Sequence, residues 1–115
     1  MSVSYHNRVF RSLENTANGE ANGDTRFYYY QQGDVVTGTY SGGGIATGQL
    51  MAKVLPDGSL EMRYHHLNHA GEFMLGRCFS RPELLPDGRI RLHEEWQWLS
   101  GDGSSGRSVV EEVRE

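Results

Sequence analysis

The chain has 115 residues, with 11 Lys+Arg against 15 Asp+Glu for a formal charge of −4, 37% hydrophobic residues and one cysteine. That length describes one domain over residues 1–115, and fifteen glycines, about twice the usual share near 7%, beside only three prolines exclude disorder and collagen-like repeats. Mild acidity without a basic run excludes the electrostatic footprint of a nucleic-acid or anionic-membrane partner.

No apolar run approaches membrane-spanning length, and a lone cysteine makes no intramolecular disulfide. Met1 to Arg11 lacks a charged region followed by an apolar stretch, so the expected location is cytoplasmic.

Apolar residues recur with period two, and the gaps between runs carry Gly, Asp, Asn or Pro-Asp-Gly, the pattern of strands and tight turns. It predicts strands at about 4–12, 24–32, 34–41, 45–55, 59–68, 72–84, 89–99 and 106–114. Leu13 to Gly23, with Asn-Gly at 18–19 and 22–23, is too rich in turn formers for a strand and is expected to be a loop. No stretch reads as a long amphipathic helix. Eight consecutive antiparallel strands make a meander, and closing it removes its exposed edges. The expected fold is therefore all-β: a small up-and-down, calycin-like or lipocalin-like barrel, just wide enough for its own side chains or one small ligand.

Three turns set the facing of side chains. Leu55-Pro56-Asp57-Gly58 and Leu85-Pro86-Asp87-Gly88 fit a type I turn followed by a left-handed glycine, and Asn68-His69-Ala70-Gly71 has the same first and fourth positions. Residue 55 then faces 59, 85 faces 89, and 68 faces 72. The ladder that follows sets Val54 opposite Leu60, Ala52 opposite Met62 and Leu50 opposite Tyr64. It also sets Cys78 opposite Trp96, Ser80 opposite Glu94, His66 opposite Met74, and Gly76 between Tyr64 and Trp98. Alternation alone puts Leu50, Ala52, Val54, Leu60, Met62, Tyr64, Ile90, Leu92, Trp96 and Trp98 inside, the flanking turns place Met74, Gly76 and Cys78 with them, and Lys53, Glu61, Arg63, His65, Arg77, Arg91, His93, Glu95 and Gln97 fall outside. The run Phe27-Tyr28-Tyr29-Tyr30 must split between faces, and the parity of strands 24–32 and 106–114 is open.

The inner rows hold the candidate site. Tyr64, Trp96, Trp98, Leu50 and Met62 beside Gly76 admit two readings: a filled barrel whose glycines make room for rings, or a cavity suited to a flat, apolar or aromatic ligand. Alternation aims Glu94 inward between Leu92 and Trp96, as structural glue for Ser80, Arg or Tyr partners or as a carboxyl kept for a ligand or a proton. His66, in a row with Gly48, Met74 and less firmly Gly38, is a second inward polar group. His65 points away from it and His69 lies in a turn, so no metal is expected there, and none elsewhere. Cys78 reads as a packed small hydrophobe. Gly101 to Gly106 matches G-x-G-x-x-G, but only nine residues follow it, too few for a dinucleotide-binding unit, so it reads as a hairpin loop and no cofactor is expected.

The strings Tyr40-Ser41-Gly42-Gly43, Glu61-Met62-Arg63-Tyr64-His65-His66 and Leu92-His93-Glu94-Glu95-Trp96-Gln97-Trp98, with Ser100-Gly101-Asp102, resemble a family of small bacterial all-β proteins often labelled automatically as N-acetylglutamate synthases. An acetyltransferase of the usual kind implies a mixed α/β fold and a glycine-containing acetyl-CoA loop opening a helix, and neither has a candidate among these residues.

The leading expectation is a non-enzymatic binding module for a small apolar or aromatic molecule, with Leu50, Met62, Tyr64, His66, Gly76, Glu94, Trp96 and Trp98 as its ligand-binding residues. The enzyme alternative takes Glu94 or His66 as acid/base and Tyr64 as hydrogen-bond donor. The third is a structural or homo-oligomeric protein with a filled barrel. A homodimer is compatible with all three.

Overall fold

The computed structural model describes residues 3–114. Eight strands follow one another: β1 (Arg8–Asn15), β2 (Arg26–Gln32), β3 (Val35–Gly42), β4 (Ile45–Val54), β5 (Leu60–Asn68), β6 (Phe73–Leu84), β7 (Ile90–Trp98) and β8 (Ser105–Glu112). Each pairs antiparallel with its neighbour in sequence, and β1 pairs with β8 to close the barrel.

The turns behave as their residues dictate. Gly58, Gly71 and Gly88 take φ of 88°, 81° and 89°, the left-handed region that favours glycine. The Leu55 and Leu85 N–H groups each donate across their loops, to Ser59 O and Arg89 O, at 2.8 Å. With these loops fixed, β4 to β7 take the expected register: Leu50 pairs with Tyr64, Tyr64 with Gly76, Gly76 with Trp98, Cys78 with Trp96 and Ser80 with Glu94. The expected inner residues are buried or half-buried throughout, whereas Glu61, Arg63, His65, Arg77 and Glu95 are exposed. In β2, Phe27 and Tyr29 turn inward and Tyr28 and Tyr30 outward. In β8, Ser108, Val110 and Glu112 are the inward set.

Three expectations are corrected. The first strand starts at Arg8 rather than near residue 4, because Asn7 at φ 58° breaks the extended run, a conformation that asparagine tolerates better than most residues. It also continues to Asn15, through a bulge between Ser12 and Glu14 beside the outward-facing Leu13, so the long loop is confined to residues 16–25. Gly38 pairs with Leu50, not with the His66 row. Tyr40 takes that place opposite Gly48, as the register shifts at the short β3–β4 turn.

One end of the barrel is a dry floor. Before β1, the chain tucks Tyr5 under it: the Tyr5 hydroxyl donates to Gly58 O, and Tyr5 N donates to Gln31 Oε1 at 2.8 Å. Phe10, Val36, Leu60, Ile90, Leu92 and Val110 are buried in the same core, and the Phe10 and Tyr29 rings lie 4.7 Å apart between centroids. Three inward glycines seat large rings. Tyr40 lies over Gly48, Tyr64 over Gly76 and Trp96 over Gly106, each so closely that a Cβ on the glycine would overlap the ring.

This seating gives a stability prediction. Gly76→Val should cost roughly 1–3 kcal/mol through overpacking against Tyr64. Gly23→Ala, where a Cβ has nothing within 4 Å, should stay within about 0.5 kcal/mol. Urea denaturation of the two variants beside wild type measures both; an unchanged midpoint for Gly76→Val would show that Tyr64 is not seated there.

Candidate functional site

The other end of the barrel holds a cavity of about 70 Å³. A water needs about 10–15 Å³ measured in this way, so the space takes several waters or one small molecule. Leu50 and Met62 line its apolar side. Tyr64, Trp96 and Trp98 supply ring walls, Tyr64 and Trp98 crossing at 67° with centroids 5.9 Å apart, and Trp96 and Trp98 tilted at 59° with centroids 5.3 Å apart. His66 and Glu94 also reach the lining, so seven of the eight expected ligand-binding residues meet at one cavity. The eighth, Gly76, does not: it lies beneath the Tyr64 ring and acts by letting that ring flatten against the wall.

Pairing explains why these side chains converge. Leu50, Tyr64, Gly76 and Trp98 are consecutive partners on β4 to β7, and Met62, Cys78 and Trp96 form the next row on β5 to β7. One row further towards the floor come Asn15, Ser108, Glu94 and Ser80, on β1, β8, β7 and β6.

Glu94 accepts hydrogen bonds from Ser108 Oγ to Oε1 at 2.9 Å and from Ser80 Oγ to Oε2 at 3.1 Å. Burial raises its pKa, and the hydroxyl bonds oppose that shift. Burial likewise pushes the Tyr29 and Tyr64 phenols and the Cys78 thiol up, so these neighbours stay neutral. Cys78 is buried with Sγ 3.5 Å from Ser80 Oγ, which agrees with a packing role.

His66 is buried and bonded at both ring nitrogens: Nδ1 lies 2.9 Å from Tyr40 Oη and Nε2 lies 2.7 Å from Glu20 Oε1. A carboxylate only accepts, so Nε2 carries the hydrogen, and in the neutral ring Tyr40 donates to Nδ1. Glu20 belongs to the 16–25 loop, which crosses the cavity mouth as a lid. Its Oε2 accepts from Asn68 Nδ2 at 3.1 Å, while the Trp98 indole donates to Asn18 O at 3.1 Å and Asn18 Nδ2 donates to Ser105 O at 2.9 Å. His65 and His69 are exposed, and His93 lies on the outer face, 2.8 Å from Glu83. Gly101 to Gly106 spans the β7–β8 hairpin.

Sequence reasoning missed Tyr29, Tyr40, Asn15 and the whole lid. Parity in β2 lacked a clean turn, which hid Tyr29, and nothing in a polar loop marks Glu20 as the residue that meets His66. Tyr40 had a usable signal, because Gly48 opposite it is the seat of a ring.

Two predictions follow from this geometry. Trp96 and Trp98 are the chain's two tryptophans and both line the cavity, so selectively excited tryptophan emission reports on it. Glu20→Ala should raise acrylamide quenching of that emission without changing the far-UV circular dichroism of the barrel; quenching equal to wild type would mean that the lid does not depend on this carboxylate. For Glu94, a folded pKa above the ordinary 4.5 means that the native state holds the proton more tightly than the unfolded chain. Wild-type stability therefore falls as pH rises from 4.5 to the raised value, and is level beyond it. Glu94→Gln lacks this effect, so its melting temperature relative to wild type should climb across that window; a constant difference from pH 4 to 8 would contradict the burial of the carboxyl.

The model of the Avidin-like protein family matches residues 3–113, nearly the whole chain. No curated protein sequence matches it. The closed eight-stranded meander agrees with the calycin-type barrel of that family. The chain belongs to the Avidin-like protein family of small-ligand-binding β-barrels.

Proposed function

We propose that the protein binds one small molecule inside its barrel and holds it without transforming it. The observation that carries this reading is the lidded cavity with walls of Tyr64, Trp96 and Trp98 and an apolar side of Leu50 and Met62. Ring faces and aliphatic groups favour a ligand with a flat, largely apolar body, and Glu94 offers it one polar anchor.

The enzyme alternative is weaker on the same geometry. His66 would have to release Tyr40 or Glu20 before carrying a proton, since both of its nitrogens are committed. An acetyltransferase of the usual kind needs a helix opening at a pyrophosphate loop, whereas the described residues form eight strands joined by loops.

Native mass spectrometry of the protein purified from its source tests the reading. A retained small molecule that is lost from Leu50→Trp, a variant that fills the cavity, is the expected result. Adding the released compound back should change the emission of Trp96 and Trp98. Bare protein by mass, with no emission change when extracts of its source are titrated in, would overturn the proposal.

A further inference from the structure

The pairing of the chain's buried and half-buried carboxylates narrows the ligand class. The other buried or half-buried acidic side chains are met by a cationic or ionisable partner. Glu112 takes Arg8 Nη1 at 2.6 Å, Glu111 takes Arg91 Nη2 at 2.7 Å and Arg89 Nη1 at 3.1 Å, and Glu20 takes His66 at 2.7 Å. Glu94 has only the Ser80 and Ser108 hydroxyls, and among the described residues no Arg, Lys or His forms an ion pair with it. The titratable groups that share its cavity are Tyr29, Tyr64, Cys78 and His66, with Tyr40 and Glu20 bonded to His66 at the mouth. The first three are acids held neutral by burial, and His66 is committed to Glu20 and Tyr40.

The surroundings complement a positive charge. Tyr29, Tyr64, Trp96 and Trp98 line the same cavity, and aromatic faces attract cations through their quadrupole. A second acceptor sits on the row of Glu94, beyond Ser108: Asn15 Oδ1 is the one buried side-chain oxygen or nitrogen without a hydrogen-bond partner among the described residues. A carboxylate, an unmatched amide oxygen and several ring faces make a cavity that asks for N–H donors bearing charge.

We propose that the cavity binds a small organic cation, an amine or amidine, whose charge is met by Glu94 inside walls of Tyr29, Tyr64, Trp96 and Trp98. This deepens the ligand-binding reading above and rests on it. Burial favours the protonated form of Glu94, whereas a cation beside it favours the carboxylate, which then forms a charge-assisted hydrogen bond. Binding therefore releases a proton from Glu94, and cation affinity rises as pH climbs through that residue's raised pKa.

Acetamidinium and acetamide provide the test, being small, planar and nearly the same shape, with N–H donors on both and charge on one. Each is titrated into the full chain and followed by calorimetry and by Trp96/Trp98 emission. The expected result is that acetamidinium binds about ten-fold tighter or more, with the preference growing between pH 4 and pH 8. In Glu94→Gln the preference should shrink to the small part that the ring faces supply and should no longer depend on pH. Equal affinities in wild type would overturn the cation while leaving a small-ligand site in place. A preference that is level with pH, or that survives undiminished in Glu94→Gln, would show that the charge is not met by Glu94. If neither probe binds, the proposal falls, and mass spectrometry of retained ligand then decides the broader reading separately. The pH series on wild type keeps the test decisive should Glu94→Gln fold poorly.

Discussion

Space inside an eight-stranded barrel is scarce, because its side chains are just able to fill it. Here the interior stays open because three large rings lie along the wall on glycine seats. Tyr40, Tyr64 and Trp96 occupy the places that side chains at Gly48, Gly76 and Gly106 would otherwise take. A methyl group at any of these seats would push a ring into the lumen, so the cavity, its aromatic walls and the approach of Trp98 to Tyr64 all depend on these cross-strand pairs. The same contacts stiffen the sheet, since an aromatic ring over a strand glycine restores the packing that glycine lacks.

The polar chemistry is ordered by depth. Next to the floor, Glu112 is bound by Arg8 and by the Ile90 N–H at 3.0 Å, so its carboxylate is compensated where the barrel is driest. On the outer face, hydrogen bonding from Arg91, with help from Arg89, holds the Glu111 carboxyl below its ordinary range. Midway along the barrel, Glu94 has hydroxyl donors alone. Burying an uncompensated carboxylate is unfavourable, and the two serines reduce that cost without removing it. A chain that uses arginine for its structural carboxylates and withholds it from one inner position leaves that position reactive to whatever enters.

Much of this arrangement was legible in the sequence for a mechanical reason. The two Leu-Pro-Asp-Gly turns and Asn68-His69-Ala70-Gly71 leave one register each, and β4 to β7 are tied to them, so pairs such as Cys78 with Trp96 and Ser80 with Glu94 follow by counting. Counting fails where the turn is not of that kind. The bulge at Leu13 alters the β1 register, and the irregular turn near Gly42 leaves the β3–β4 register unfixed, so that Tyr40 rather than Gly38 stands opposite Gly48. Lid contacts are different again: Glu20 and His66 are 46 positions apart and share no periodic pattern, so only the folded chain brings them together. Gly76 illustrates the limit at the site itself, since an inner glycine signals room but not which ring will take it.

The contrast between the two ends argues for exchange at one of them. The floor is held by buried side chains, including Tyr5, Phe10, Ile90 and Leu92, and opening it would expose several large apolar groups at once, each worth roughly 1.5–3 kcal/mol. The lid end is held differently. Glu20, Asn18 and Trp98 make a handful of hydrogen bonds, each contributing roughly 0.5–1.5 kcal/mol net because water replaces them when the loop lifts. Segments held in that way open locally without global unfolding. Access to the cavity therefore runs past the 16–25 loop, and the groups a ligand meets first are Glu20, His66 and Trp98, before it reaches Glu94 below. The Glu20 carboxylate at the gate favours the approach of positively charged molecules over negatively charged ones, and the Glu94 carboxyl below can meet such a charge by giving up its proton.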